Sequence, residues 1–150
     1  MKKILIIIFF LISACGYQPI YKVDKEITQI KIKEVKFAGN QEISKEVFLK
    51  LPFIIEKKND DLNTLIIESR KIISETSKNS KGQVTSYRTS LNVTLKISNS
   101  KNKTITEKNL KKEFSYDTKK DKFKLKRYQK QIEKDLIDKI SKEVIIFLNL

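Results

Sequence analysis

Alternation is strictest between Ser86 and Ile97. Tyr87, Thr89, Leu91, Val93, Leu95 and Ile97 fall on one parity, and Ser86, Arg88, Ser90, Asn92, Thr94 and Lys96 on the other. A period of two held this long predicts a strand with one face on a core and one toward solvent or a partner. Ser98–Lys103 reads as a short turn, and Thr104–Tyr116 as the returning hairpin strand, with Leu110, Phe114 and Tyr116 on one parity. Leu62–Thr76 is a further extended segment. Its apolar residues sit on both parities (Leu65, Ile67 and Ile73 against Ile66 and Ile72), so it is either partly buried on both faces or bulged. Ile27–Phe37 reads as one strand with a bend near Glu34, where the apolar parity changes.

Two segments change to a helical period. Asn40 can cap a helix running to about Leu51, with Glu42 in its first turn, a stripe of Ile43, Val47 and Leu51, and Glu46–Lys50 as an exposed i,i+4 pair. Pro52 ends it. Phe123–Leu150 contains no Gly or Pro. Tyr128, Ile132, Leu136, Ile140 and Val144 recur every four residues, widened by Ile137, Phe147 and Leu148. Asp117 or Asp121 is the expected cap, and Asp135–Lys139 and Asp138–Lys142 are expected pairs. The order is β-α-β-β-β-α. It predicts an α+β two-layer sandwich, with two helices on one face of a roughly four-stranded sheet and the other face open.

The amino-terminal end follows a different rule. Lys2 and Lys3 precede nine unbroken apolar residues, Ile4–Ile12, then Ser13, Ala14 and Cys15. A spanning helix needs about 20 apolar residues, so the run fits the core of a secretory signal peptide better than a membrane span. Ile12-Ser13-Ala14-Cys15 resembles the bacterial lipobox, which implies cleavage before Cys15 and acylation of its thiol. Cys15 is the only cysteine, so no intramolecular disulfide is possible. The expected division is a lipoprotein signal peptide over 1–14, an acylated tether over 15–26 and a single α+β domain over 27–150. Two or three acyl chains hold a protein firmly to a membrane.

Net charge is +14, carried by 32 Lys and Arg against 18 Asp and Glu. Such an excess attracts polyanions, although an A+T-rich coding sequence also favours lysine. Outside the cytoplasm, anionic lipid headgroups are the more accessible partner. Nucleic acid is not the expected one: stacking surfaces would have to come from Phe114, Tyr116 and Phe123. The chain has no histidine, and with Cys15 acylated no free thiol. It therefore lacks the commonest general base and the usual zinc ligands. No nucleotide-binding or hydrolase motif is present. Ser44–Lys45 and Ser141–Lys142 read as surface positions. The expectation is a protein without catalytic residues, metal or cofactor.

Cys15-Gly16-Tyr17-Gln18-Pro19-Ile20-Tyr21 resembles the mature start of the LPS-assembly lipoprotein LptE family, α-proteobacterial type, whose element order is also strand, helix, three strands and a long terminal helix. The resemblance implies a lipoprotein on the periplasmic side of the outer membrane. It implies that the protein plugs and helps assemble the LptD β-barrel, and assists lipopolysaccharide transport to the outer leaflet. Gly16 after the acylated cysteine agrees with outer-membrane sorting. Barrel lumens are polar, and a charged exterior suits them. For lipopolysaccharide phosphates the candidate ligands are Arg70, Arg88 and Lys96 on strands, with Lys78 and Lys81 in the turn before Ser86. The alternative is a periplasmic lipoprotein that serves as scaffold or chaperone for another envelope complex.

Overall fold

The computed structural model describes residues 29–101 and 103–148. The signal peptide, Cys15, the tether and the first two residues of the expected Ile27–Phe37 strand lie outside the described residues. Eight elements follow one another: β1 (Ile30–Ile32), β2 (Glu34–Gly39), α1 (Gln41–Phe48), β3 (Phe53–Ile55), β4 (Thr64–Lys78), β5 (Val84–Ser98), β6 (Thr104–Asp117) and α2 (Lys122–Leu148). The architecture is α+β, in the predicted order apart from two short additions.

The main sheet has the order β2-β4-β5-β6. β4, β5 and β6 form an antiparallel meander, and β2 lies parallel to β4. A parallel neighbour needs a crossover, and α1 supplies it. The expected strand across Ile27–Phe37 is in fact two strands. The chain breaks at Lys33, one residue before the predicted bend. β1 leaves the main sheet and pairs in parallel with β3, Ile30 opposite Phe53 and Ile32 opposite Ile55. Strand β3 was not predicted. Three residues after Pro52 carry too little alternation to signal a strand, and it exists only because β1 stands beside it.

The helices share one sheet face. Leu65 and Ile67 from β4, Leu91, Val93 and Leu95 from β5, and Leu110 and Tyr116 from β6 meet Ile43 and Val47 of α1 and Ile132, Leu136, Ile137, Ile140 and Val144 of α2. Burial of each such side chain contributes about 1.5–3 kcal/mol. Both parities of β4 are apolar because its two halves differ. Leu65 and Ile67 are buried in the core, whereas Ile72 and Ile73, beyond the end of β2, are exposed. Register irregularities with β5 fall only at the far end, between Glu75 and Lys78.

Caps follow the predicted logic. Asn40 Oδ1 accepts from Ile43 N at 3.2 Å, and Asp121 Oδ1 accepts from Phe123 N at 2.8 Å and Lys124 N at 3.2 Å. The two meander turns use one device: Asn79 Oδ1 accepts from the amides of Lys81 and Gln83, and Asn99 Oδ1 from those of Lys101 and Lys103. The helix-surface pairs differ from expectation. Asp138 takes Lys50, two residues past α1, at 2.8 Å rather than Lys142, and Asp135 accepts from Gln131 rather than pairing with Lys139. Lys50 is thereby drawn from Glu46 to a partner on α2. Ser44 and Ser141, expected at the surface, are buried. Ser44 closes the β2–α1 junction, 2.8 Å from Ser69 Oγ and 3.1 Å from Ala38 O.

The sheet has two distinct ends. At one lie Gln29, the start of β2, the β5–β6 turn and the last turns of α2. At the other, roughly 50 Å away by the length of β4, lie the β4–β5 turn and the loop into α2, joined where Thr118 N donates to Thr85 O.

Candidate functional site

Three of the five predicted cation positions share one plane. Arg70, Arg88 and Lys96 alternate with the buried residues of β4 and β5, so they project from the face that no helix among the described residues covers. Lys78 and Lys81 stand at the far hairpin, Lys78 at the end of β4 and Lys81 in the turn. The structure thus brings three together and sets two apart from them. It also pairs most of them. Arg88 lies 3.8 Å from Glu113 and donates to Ser115 Oγ at 3.1 Å, Lys96 lies 3.6 Å from Glu107, and Lys78 lies 3.0 Å from Glu75. Among the described residues Arg70 and Lys81 have no ion pair. The open face is a fixed polar plane: Thr94 bonds Asn109, Ser90 bonds Glu113, and Lys111 pairs with Glu113 at 3.2 Å. It therefore carries less unpaired positive charge than its lysine and arginine count suggests.

The stronger positive surface is on α2, none of whose cations was among the expected ligands. Lys122, Lys124, Lys126, Arg127, Lys130 and Lys134 are exposed within four turns. Its first turn holds no acidic residue. Cations at the positive end of a helix dipole cost about 0.3–1 kcal/mol each. A helix that keeps several there breaks a local rule, and such breaks concentrate at functional sites. The run Lys122-x-Lys124-x-Lys126-Arg127 was the available signal, and a count of charge along the helix would have found it.

Aromatic rings brace this surface. Tyr116 stacks on Tyr87 at 5.9 Å between centroids and meets Tyr128 edge-on at 5.7 Å, and its hydroxyl accepts from Gln129 Nε2 at 2.9 Å. Tyr116 is therefore buried and unavailable for base stacking, unlike Phe114 and Phe123. Lys119 lies over the Tyr128 ring at 5.0 Å and Arg127 over Phe123 at 5.5 Å.

Charge states are set by exposed partners. Hydrogen bonds from Lys36 to Glu34, Lys33 to Asp60 and Lys111 to Glu113 hold these carboxyls below their usual range. Asp60 and Asp138 hold Lys33 and Lys50 above theirs. A lowered carboxyl contributes stability that is present above its unfolded value and lost as pH falls through the folded one. A raised lysine contributes stability that is present below its unfolded value and lost as pH rises through the folded one. No histidine titrates between these windows. The melting temperature is therefore expected to be level from about pH 6 to pH 9 and to fall modestly on either side. Scanning calorimetry across that range checks it, and a step near pH 6.5 would contradict it.

Among the described residues no cluster of His, Cys, Asp or Glu could hold a metal ion, and no helix is long and apolar enough to cross a membrane. No protein-family model matches the chain, and no curated protein matches it. Solved structures do. The rare lipoprotein B of Shewanella oneidensis superposes with a TM-score of 0.61 at 12% identity, over 77% of this chain and 93% of that one. A minor lipoprotein of Acinetobacter baumannii gives 0.57 at 16% identity, over 78% and 88%. An uncharacterized lipoprotein B of Nitrosomonas europaea gives 0.51 at 10% identity, over 83% and 87%. At these identities the likeness is one of fold: the chain has the fold of rare lipoprotein B.

Proposed function

We propose that the chain is a non-catalytic envelope lipoprotein of the LptE type, acylated at Cys15. In this reading it sits on the periplasmic side of the outer membrane, seats in the lumen of the LptD β-barrel, and assists passage of lipopolysaccharide. The observation that carries the reading is a fold shared with bacterial lipoproteins over nearly their whole length, in a chain whose residues 12–15 match a lipobox. The polar open face adds support, because a barrel lumen is polar and wet and accepts such a surface without desolvating an apolar patch. The positive α2 surface and Arg70 offer ammonium and guanidinium groups to phosphates.

Purification of the intact chain from outer membranes is expected to recover a large β-barrel in about equal amount. Recovery of only soluble or inner-membrane partners would reject the plug in favour of a scaffold or chaperone for another envelope complex. Mass spectrometry of the mature amino terminus should show acylated Cys15. For the ligand, Lys122→Glu with Lys124→Glu is expected to weaken lipopolysaccharide binding about tenfold, or about 1.4 kcal/mol. Arg88→Glu with Lys96→Glu should weaken it less, since those cations already face Glu113 and Glu107. Equal losses would return the site to the sheet.

A further inference from the structure

Among the described residues, a stretch of sheet edge beside α2 has no neighbour. β2 covers β4 only from Thr64 to Ser69 and then turns away through Gly39. Asn40 N donates to Ser69 O at 2.8 Å, which shows that odd-numbered residues of β4 aim their backbone groups at the β2 side. Past Ser69, the N–H and C=O groups of Lys71, Ile73 and Glu75 continue that direction, and no strand among the described residues meets them. Such a row is a template for another strand. Natural edges are usually blunted by charge. Here the strand carries Ile72 and Ile73 side by side, 47% and 43% exposed, one on each face.

The edge is also the floor of a groove. Ile73 and Phe123 both line it, and Lys126, Arg127 and Lys130 of α2 form the wall. Two carboxylates line it as well: Glu133, which is held by Lys71, and Glu42 at the start of α1. Three wall cations therefore face one free carboxylate. A second copy of this chain would bring the same cations and be repelled. Residues 15–28 of the chain itself carry Lys22 and Lys25 against Asp24 and Glu26 and offer no excess negative charge.

We propose that this groove docks an extended segment of a partner protein, added as a strand to Lys71–Glu75 in line with β2. Its side chains facing α2 are acidic, and those facing Ile72 are β-branched or apolar. Main-chain bonds hold it, and the alternating side chains select it. The inference rests on edge geometry and charge, and it stands whether or not the partner is a barrel.

The probe is a labelled peptide of alternating Glu and Val, with a scrambled peptide of equal composition and an alternating Lys–Val peptide as controls. The full chain in detergent is titrated by fluorescence anisotropy and by amide exchange. Saturable binding is expected, with at least tenfold greater protection of the Lys71, Ile73 and Glu75 amides and little change at Ile72 and Ser74, which face β5. The scrambled peptide should bind at least tenfold more weakly. Ile73→Pro removes an outward N–H that β5 does not use, a place where an edge tolerates proline, and should cost at least tenfold at an unchanged unfolding midpoint. Should that variant unfold, Arg127→Glu with Lys130→Glu decides instead, by reversing the preference from the Glu to the Lys peptide. Absent binding, equal binding of the scrambled peptide, or unchanged protection would overturn the proposal. So would edge amides already protected in the free chain and released on deleting residues 15–28, or protection that follows self-association.

Discussion

Gly39→Ala is expected to lower the free energy of unfolding by about 3–4 kcal/mol, the sum of left-handed strain and a backbone collision. Gly39 has φ +66°, and a Cβ there would lie 2.2 Å from Ser69 O. That oxygen cannot withdraw, because it accepts the Asn40 N–H in the bond that turns β2 into α1. The damage spreads through a buried junction: Ser69 Oγ donates to Asn40 O at 2.7 Å and touches Ser44. Gly82 is the internal control. It has φ +75°, but nothing lies within 4 Å of its would-be Cβ. Gly82→Ala should carry only the conformational term, about 1–2 kcal/mol. Urea unfolding of both variants checks the pair, and equal losses would mean that Ser69 is not where the structure places it.

Leu136→Ala should be comparably severe. Leu136 is 1% exposed where α2 crosses the sheet, and deleting a buried leucine costs about 2–5 kcal/mol through lost burial and the cavity left behind. Phe123, on the same helix, is 68% exposed, and Phe123→Ala should cost no more than about 0.5 kcal/mol. The contrast separates helix propensity from packing. If both variants melt alike, α2 is not seated on the sheet as described.

The sequence made the large elements legible because their signals were long. Twelve alternating residues in β5 and five apolar residues at steps of four in α2 outweigh any local ambiguity, and both caps followed from side-chain chemistry. The parts that stayed hidden depend on contacts distant in the chain. Nothing in Phe53-Ile54-Ile55 announces a strand until β1 lies beside it. The mixed parity of β4 is intelligible only once β2 is seen to stop at Ser69. Lys50 and Asp138 are 88 positions apart and share no helix face, so their pairing required the packing of α1 on α2. The candidate cations show the same limit. Alternation put Arg88 and Lys96 on one parity, but placing Arg70 on the same face needed the β4–β5 register, and the pairing of Arg88 with Glu113 and Lys96 with Glu107 came from the β5–β6 register, which sequence alone did not supply.

The short parallel pair of β1 and β3 also has a mechanical meaning. Ile30 N donates to Pro52 O and Glu56 N to Ile32 O, both at 2.8 Å. These bonds lie across the line of any tension arriving at Gln29 along β1. Tension in that direction loads them together in shear instead of peeling them singly. A pull applied at Gln29 is therefore expected to load this clasp before the sheet on which both helices rest.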